Sequence, residues 1–224
     1  MKRSWPQVQV ALDLLDLEKA LVIAREAVAS GIGWIEAGTP LIKSKGMRAI
    51  KALSHEFPTN TVVADMKTLD AGAIESEMAF GAGAGVVSIS GLAHDSTVRD
   101  SVGTASRYDG LLMADLLMST NPRLRARKLE QLGVDIVCLH TGIDAQKALH
   151  SGIKVSRTVS EIARSLRIPV ATAGGVTPSA VEGLVNAGVK VIIVGGWITG
   201  SRDPALASRQ IMEKIKGVSR LGPV

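Results

Sequence analysis

Short apolar runs recur along the chain at intervals of roughly 20 to 30 residues, each followed by a longer stretch with helical spacing. The runs are "VQVALD" (8–13), "WIEAG" (34–38), "TVVAD" (61–65), "GVVSIS" (85–90), "LLMAD" (111–115), "DIVCLH" (135–140), "PVATAG" (169–174) and "VIIVGG" (191–196). In the intervening segment "DLEKALVIAREAVASG", Leu17, Leu21, Ala24 and Val28 fall on one helical face. Asp16 is placed to cap that helix and Gly31 to end it. The segments "ASGIGW", "AFGAGAGV", "EQLGVDI" and "VNAGVKV" all put glycine where a helix turns back into a strand. Near-continuous apolar strands alternating with helices predict a parallel sheet covered by helices. Eight such units in a chain of 224 residues predict an α/β protein, a single closed (β/α)8 TIM barrel. The competing architecture is an open doubly wound sheet, but no GxGxxG follows the first strand.

The length fits one domain. The barrel is expected over residues 1–216, with 217–224 as a tail or linker. Aromatic residues make up only 3% of the chain, so the core must be aliphatic. A single cysteine, Cys138, excludes an internal disulfide and fits a reducing cytoplasm. It sits in an apolar run and reads as a small core residue. Pro6, Gln7 and Gln9 interrupt any signal-peptide core, and "VIIVGGWI" is too short to cross a membrane. The net charge of +5 is dispersed apart from "RLRARK" (123–128), which reads as a solvated helix face. Tyr108 and two phenylalanines do not make a stacking platform for nucleic acid.

Polar residues gather at one end of the strands. In a barrel that end carries the chemistry. Asp13 ends the first run, Glu36 the second, Asp65 the third, Asp115 the fifth and His140 the sixth. Alternation puts Val63, Asp65 and Lys67 on one face, with Asp70 in the loop beyond. Taken singly, Asp13 or Asp115 could cap a loop and His140 could be a core histidine. Lys67 needs anionic company in such a place, and the convergence of the set points to a site. His55, His94 and His150 read as surface residues.

Glu36 and Asp65, on neighbouring strands, could share a hard divalent cation such as magnesium. Zinc fits poorly, with one rim histidine and Cys138 on a strand away from these carboxylates. A metal and Lys67 together could stabilise an enediolate, and His140 is the natural proton carrier. "TAGGVTP" (172–178) and "VGGWITG" (194–200) put paired glycines after the last two strands, where barrels frequently bind phosphate.

Asp-x-Lys-x-x-Asp at the end of the third strand, together with "VALDLLDLEKAL", "IEAGTPLIKSKGM", "VADMKTLDAGAIE", "LMADLL" and "HTGID", resembles the 3-hexulose-6-phosphate synthase family. That family lies within the orotidine 5′-phosphate decarboxylase superfamily, and the likeness spans about residues 7 to 216. The resemblance implies a homodimer of barrels with shared active sites. It also implies an aldehyde-lyase that joins D-ribulose 5-phosphate to formaldehyde, reversibly and with Mg2+. Glu36 and Asp65 would hold the metal, and Lys67 would face the enediolate. His140 would move the proton, and Asp70 would reach the neighbouring subunit's site. Asp13 and Asp115 would stand among the substrate-binding residues, with Gly174, Gly175, Gly195 and Gly196 at the phosphate.

Two other readings compete. One is 3-keto-L-gulonate 6-phosphate decarboxylase, which shares the fold and the metal site. That enzyme carries an arginine where this chain has Ile143 and another where it has Gly196. The second is a barrel retained as a non-catalytic interaction module. Orotidine 5′-phosphate decarboxylase itself needs no metal, and Glu36 argues against it.

Overall fold

The computed structural model describes residues 5–149 and 156–220. Its strands are β1 (Gln7–Leu12), β2 (Trp34–Ala37), β3 (Thr61–Thr68), β4 (Val86–Ser90), β5 (Leu111–Asp115), β6 (Ile136–His140), β7 (Val170–Ala173) and β8 (Val191–Val194). All pair in parallel in chain order, and β8 closes onto β1 through Gln7↔Val191 to Val10↔Val194. The eight expected runs are the eight strands of a closed barrel. The open sheet is therefore excluded.

Two apolar layers hold it. Between strands and helices lies a large core that includes Leu12, Ile35, Leu41, Ile50, Leu53, Ile89, Leu112, Leu129, Ile162 and Leu184. The barrel interior is a second cluster, with Trp34, Val63, Val86, Met113, Ile136, Val191 and Ile193 among its members, and Trp5 packs against it. Aliphatic side chains supply nearly all of both, as the scarcity of aromatics required.

The helix Leu17–Ala29 starts where Asp16 accepts a bond from the Lys19 amide at 3.2 Å, and Gly31 follows it at φ 100°. At that angle a Cβ would be strained, so the chain reverses on glycine. His55 is exposed, and His94 caps the helix Asp95–Arg107 from the surface. His150 lies outside the described residues. The last helix, Pro204–Arg220, continues beyond the boundary expected at residue 216. Among the described residues no helix is long and apolar enough to cross a membrane.

"RLRARK" departs from a simple solvated face. Arg125, half-buried on the helix Pro122–Gln131, donates to the Gly91 and Ala93 carbonyls and to Asp95 at 2.5, 2.7 and 2.6 Å. Its planar fork satisfies loop oxygens after β4 that would otherwise lack donors. Arg123 pairs with Glu161 across the neighbouring helix.

Candidate active site

The same two-residue step turns the barrel interior from apolar to reactive. Ala11 is followed on its face by Asp13, Trp34 by Glu36, Val63 by Asp65, Met113 by Asp115, and Cys138 by His140. Each second member lies nearer the carboxyl end of its strand and lines one cavity of about 690 Å³. That volume suits a small metabolite. Ser88, Lys67, Gly174, Gly175, Gly195 and Gly196 line it too.

β3 makes the sharpest local departure from a regular strand. It runs to Thr68, and its register with β4 shifts between Ala64 and Thr68. Lys67 sits at φ 48°, a left-handed conformation that costs a side chain energy. The irregularity re-aims Lys67, as bulges beside functional sites do. Its Nζ lies 2.7 Å from Asp65 Oδ2 and 3.0 Å from Asp115 Oδ2. Alternation alone would have put Asp65 and Lys67 on one face; the bulge brings them into contact.

Asp115 is the hub of this half. Its Oδ2 takes Lys67 and His140 Nδ1 (2.7 Å), and its Oδ1 accepts from the Leu117 amide at 2.9 Å. Through these bonds Asp115 orients its neighbours at the cavity wall. A carboxylate on Nδ1 orients the imidazole ring and engages that nitrogen, so proton transfer to substrate would fall to Nε2. Burial would raise the Asp115 pKa, but the bond from His140 and the charge of Lys67 win and hold it at about 2. Burial would likewise lower Lys67, yet Asp65 and Asp115 hold its ammonium above the ordinary lysine value.

Asp65 is equally well held. Ser88 donates to Oδ1 at 2.5 Å, and Thr39 donates to Oδ2 at 2.8 Å. Neither hydroxyl stood out in the sequence, because serine and threonine near strand ends are ordinary. Thr39 follows Gly38, where an added Cβ would fall 2.2 Å from Asp13 Oδ1 and 2.9 Å from the Leu12 carbonyl. Glycine there lets the two loops approach.

The β1–β2 side is different. Burial pushes the Glu36 carboxyl well above its ordinary pKa, and Asp65 and Asp13 push it further. Asp13, open to the cavity, is also raised, by desolvation and by Asp65. Glu36 accepts from Gln9 Nε2 at 2.5 Å. Around the cavity four carboxylates, Asp13, Glu36, Asp65 and Asp115, face one lysine, Lys67. That imbalance fits a divalent cation. The donors are hard oxygens, and after its protein bonds each of Glu36 and Asp65 keeps acceptor capacity. Among the described residues no group of three or more such side chains could hold a metal alone. A cation would therefore take two carboxylates and complete its shell from substrate and water, the habit of magnesium rather than of structural zinc.

Cys138 is buried, and burial followed by Asp115 raises its thiol pKa well above normal. It is an inert part of the cavity floor, as expected of a core residue. The glycine pairs divide in function. Gly174, at φ 103°, passes so close to Thr141 that a Cβ would lie 2.1 Å from its carbonyl oxygen, whereas a Cβ on Gly196 would meet nothing within 4 Å. The first is needed by the backbone; the second opens a path to the amides. The short helix Gly196–Thr199 begins there. Asp70 is exposed in the loop after β3 and does not line the cavity of its own chain. Of the expected site residues it is the one that this chain alone does not bring to the others.

Residues 6–211 match the orotidine 5′-phosphate decarboxylase / HUMPS family. The 3-hexulose-6-phosphate synthase of Mycobacterium gastri is 37% identical over 209 residues, covering 93% of this chain and 99% of that protein. The crystal structure of the Salmonella typhimurium 3-hexulose-6-phosphate synthase superposes with a TM-score of 0.89 at 32% identity, covering 95% of this chain and 99% of that one. The 3-keto-L-gulonate-6-phosphate decarboxylase of Vibrio cholerae superposes at 0.83 with 27% identity, over 96% and 99% of the two chains. With near-complete coverage, a shared barrel and a single rim of ionisable residues, the chain belongs to the orotidine 5′-phosphate decarboxylase / HUMPS family.

Proposed function

We propose that this chain is a 3-hexulose-6-phosphate synthase, an aldehyde-lyase that joins D-ribulose 5-phosphate to formaldehyde in a reversible, Mg2+-dependent aldol reaction. The observation that carries the reading is one cavity joining Glu36 and Asp65 to the bonded series Asp65–Lys67–Asp115–His140. Full-length relatives bearing that name support it.

The sugar phosphate binds with its phosphate at the amides around Gly174, Gly175, Gly195 and Gly196, where backbone donors suit an anion. Asp13 accepts from substrate hydroxyls. His140 Nε2 takes a proton from C1, and Asp115 steadies the imidazolium. Lys67 stabilises the negative charge that develops on the enediolate oxygens. Glu36 and Asp65 would hold the magnesium ion, which would supply Lewis-acid chemistry to the reaction. C1 then forms a bond to the formaldehyde carbon, and the aldehyde oxygen takes the proton from His140. The reverse path breaks the same bond and releases formaldehyde.

A homodimer completes the site. Leu15, Leu69, Leu92 and Met118 are 69, 60, 52 and 75% exposed in loops that follow β1, β3, β4 and β5. Apolar side chains clustered on one rim favour a protein interface. Leu69 adjoins Asp70, so pairing of two rims carries Asp70 toward the second subunit's cavity. Light scattering should give twice the chain mass.

The decisive test is formaldehyde consumption with ribulose 5-phosphate, with magnesium and with EDTA. Magnesium-dependent loss supports the synthase. Without it, CO2 release from 3-keto-L-gulonate 6-phosphate becomes the reading to test. That substrate adds a carboxylate to a cavity whose lysine is already committed to Asp65 and Asp115.

A further inference from the structure

Gln9 is buried in the barrel interior between two apolar strand neighbours. Its strand neighbours are Trp34 on β2 and Ile193 on β8, it is 1% exposed, and it lines the cavity. Its Nε2 donates to Glu36 Oε2 at 2.5 Å, while its Oε1 has no hydrogen-bond partner. A buried amide with an orphaned oxygen is worse for folding than an apolar side chain of similar size. Packing therefore does not account for a glutamine here. Its bond to Glu36 does.

A carboxylate offers only acceptors, so Gln9 must meet it with the N–H side of its amide. That bond engages Glu36 Oε2 and restrains the carboxylate. Asp65 is fixed in the same sense by Ser88, Thr39 and Lys67. Groups behind the ligands commonly set ligand orientation and metal affinity. We infer that Gln9 is a positioning residue for a divalent cation, holding Glu36 so that its second oxygen is presented to the ion beside Asp65. The inference rests on the metal reading proposed above.

The test replaces Gln9 with Met and, separately, with Leu, in the full chain. Mn2+ binding is measured by calorimetry and electron paramagnetic resonance without substrate, and thermal unfolding is followed without metal. Both variants should bind Mn2+ about 10- to 100-fold more weakly, while the metal-free Tm stays level or rises. Wild-type Mn2+ affinity in both variants would overturn the inference. So would a fall in Tm in both that accompanies the loss of binding, since that marks a structural role. If the unaltered protein shows no saturable Mn2+ binding, the metal reading itself fails and Gln9 has no ion to serve.

Discussion

The two sides of the cavity solve the problem of buried charge differently. On the β3–β5–β6 side, Asp65, Lys67, Asp115 and His140 bond one another, and Asp115 is held at about 2. On the β1–β2 side, Asp13 and Glu36 are both raised, because burial and neighbouring carboxylates outweigh Lys67. The first side is compensated by the protein itself. The second is less fully compensated. A cation bound between Glu36 and Asp65, where the two sides meet, would relieve that repulsion.

The strongest way to break the contrast is Lys67→Ala, since Lys67 serves both sides. Turnover should fall by about 10³-fold or more. Losing the partner of two buried carboxylates should cost several kcal/mol of stability. Steady-state formaldehyde assays and chemical unfolding read the two effects. Retained turnover would remove Lys67 from the mechanism.

His140→Gln tests the proton carrier alone. It should lower kcat by about 10²- to 10⁴-fold, with little change in KM and an intact fold by circular dichroism. A variant that keeps kcat would return His140 to the role of a core histidine.

Asp115→Asn sharpens the compensated side through pH. A carboxylate depressed in the fold adds stability above its unfolded pKa, and that stability is lost as pH falls through its folded value, about 2. The variant should be on the order of 2 kcal/mol less stable at neutral pH. The gap should close as pH drops from about 4 toward 2. Urea unfolding across that range checks it; a constant gap would contradict the assignment.

Glu36→Gln probes the other side, with the opposite sign. A carboxylate whose pKa is raised in the fold binds protons more readily there, so its ionisation costs stability at neutral pH and above. The variant should raise the metal-free Tm by a few degrees and abolish any rise in Tm on adding magnesium. The rise should shrink as pH falls toward the carboxylate range. A metal response that survives the substitution would exclude Glu36 as a ligand.

Gly38→Ala should raise KM for the sugar phosphate and cost about 1–3 kcal/mol of stability, because the new Cβ would overlap both Asp13 and the Leu12 carbonyl. An unchanged KM would separate Asp13 from substrate binding.

The barrel was legible because its signal is local and repeated. Each apolar run is a strand, and each helix–strand turn tested by Gly31, Gly83, Gly133 and Gly188 has φ between 93 and 100°. The ionisable rim followed from the same alternation, since a side chain two residues beyond a core position must emerge on the core face. Some things did not follow. Ser88, Thr39 and Gln9 look unexceptional in sequence, and only the closing of neighbouring strands brings them to Asp65 and Glu36. The contact of Asp115 with His140 was equally hidden, since 25 residues separate them in the chain.

Periodicity and residue type alone therefore determined the architecture, the end of the barrel where ionisable residues gather and the members of that set. Tertiary structure decided which members are paired and which are exposed to one another's repulsion. Pairing depends on distances of 2.5 to 3.0 Å between strands far apart in the chain. A bulge at Lys67 brings its ammonium to Asp65 and Asp115, and glycine at 38 lets the β2 loop pass close to Asp13. Local preference fixes the direction of a side chain, but the protonation and reach of a buried charge depend on every other charge that the fold brings near it.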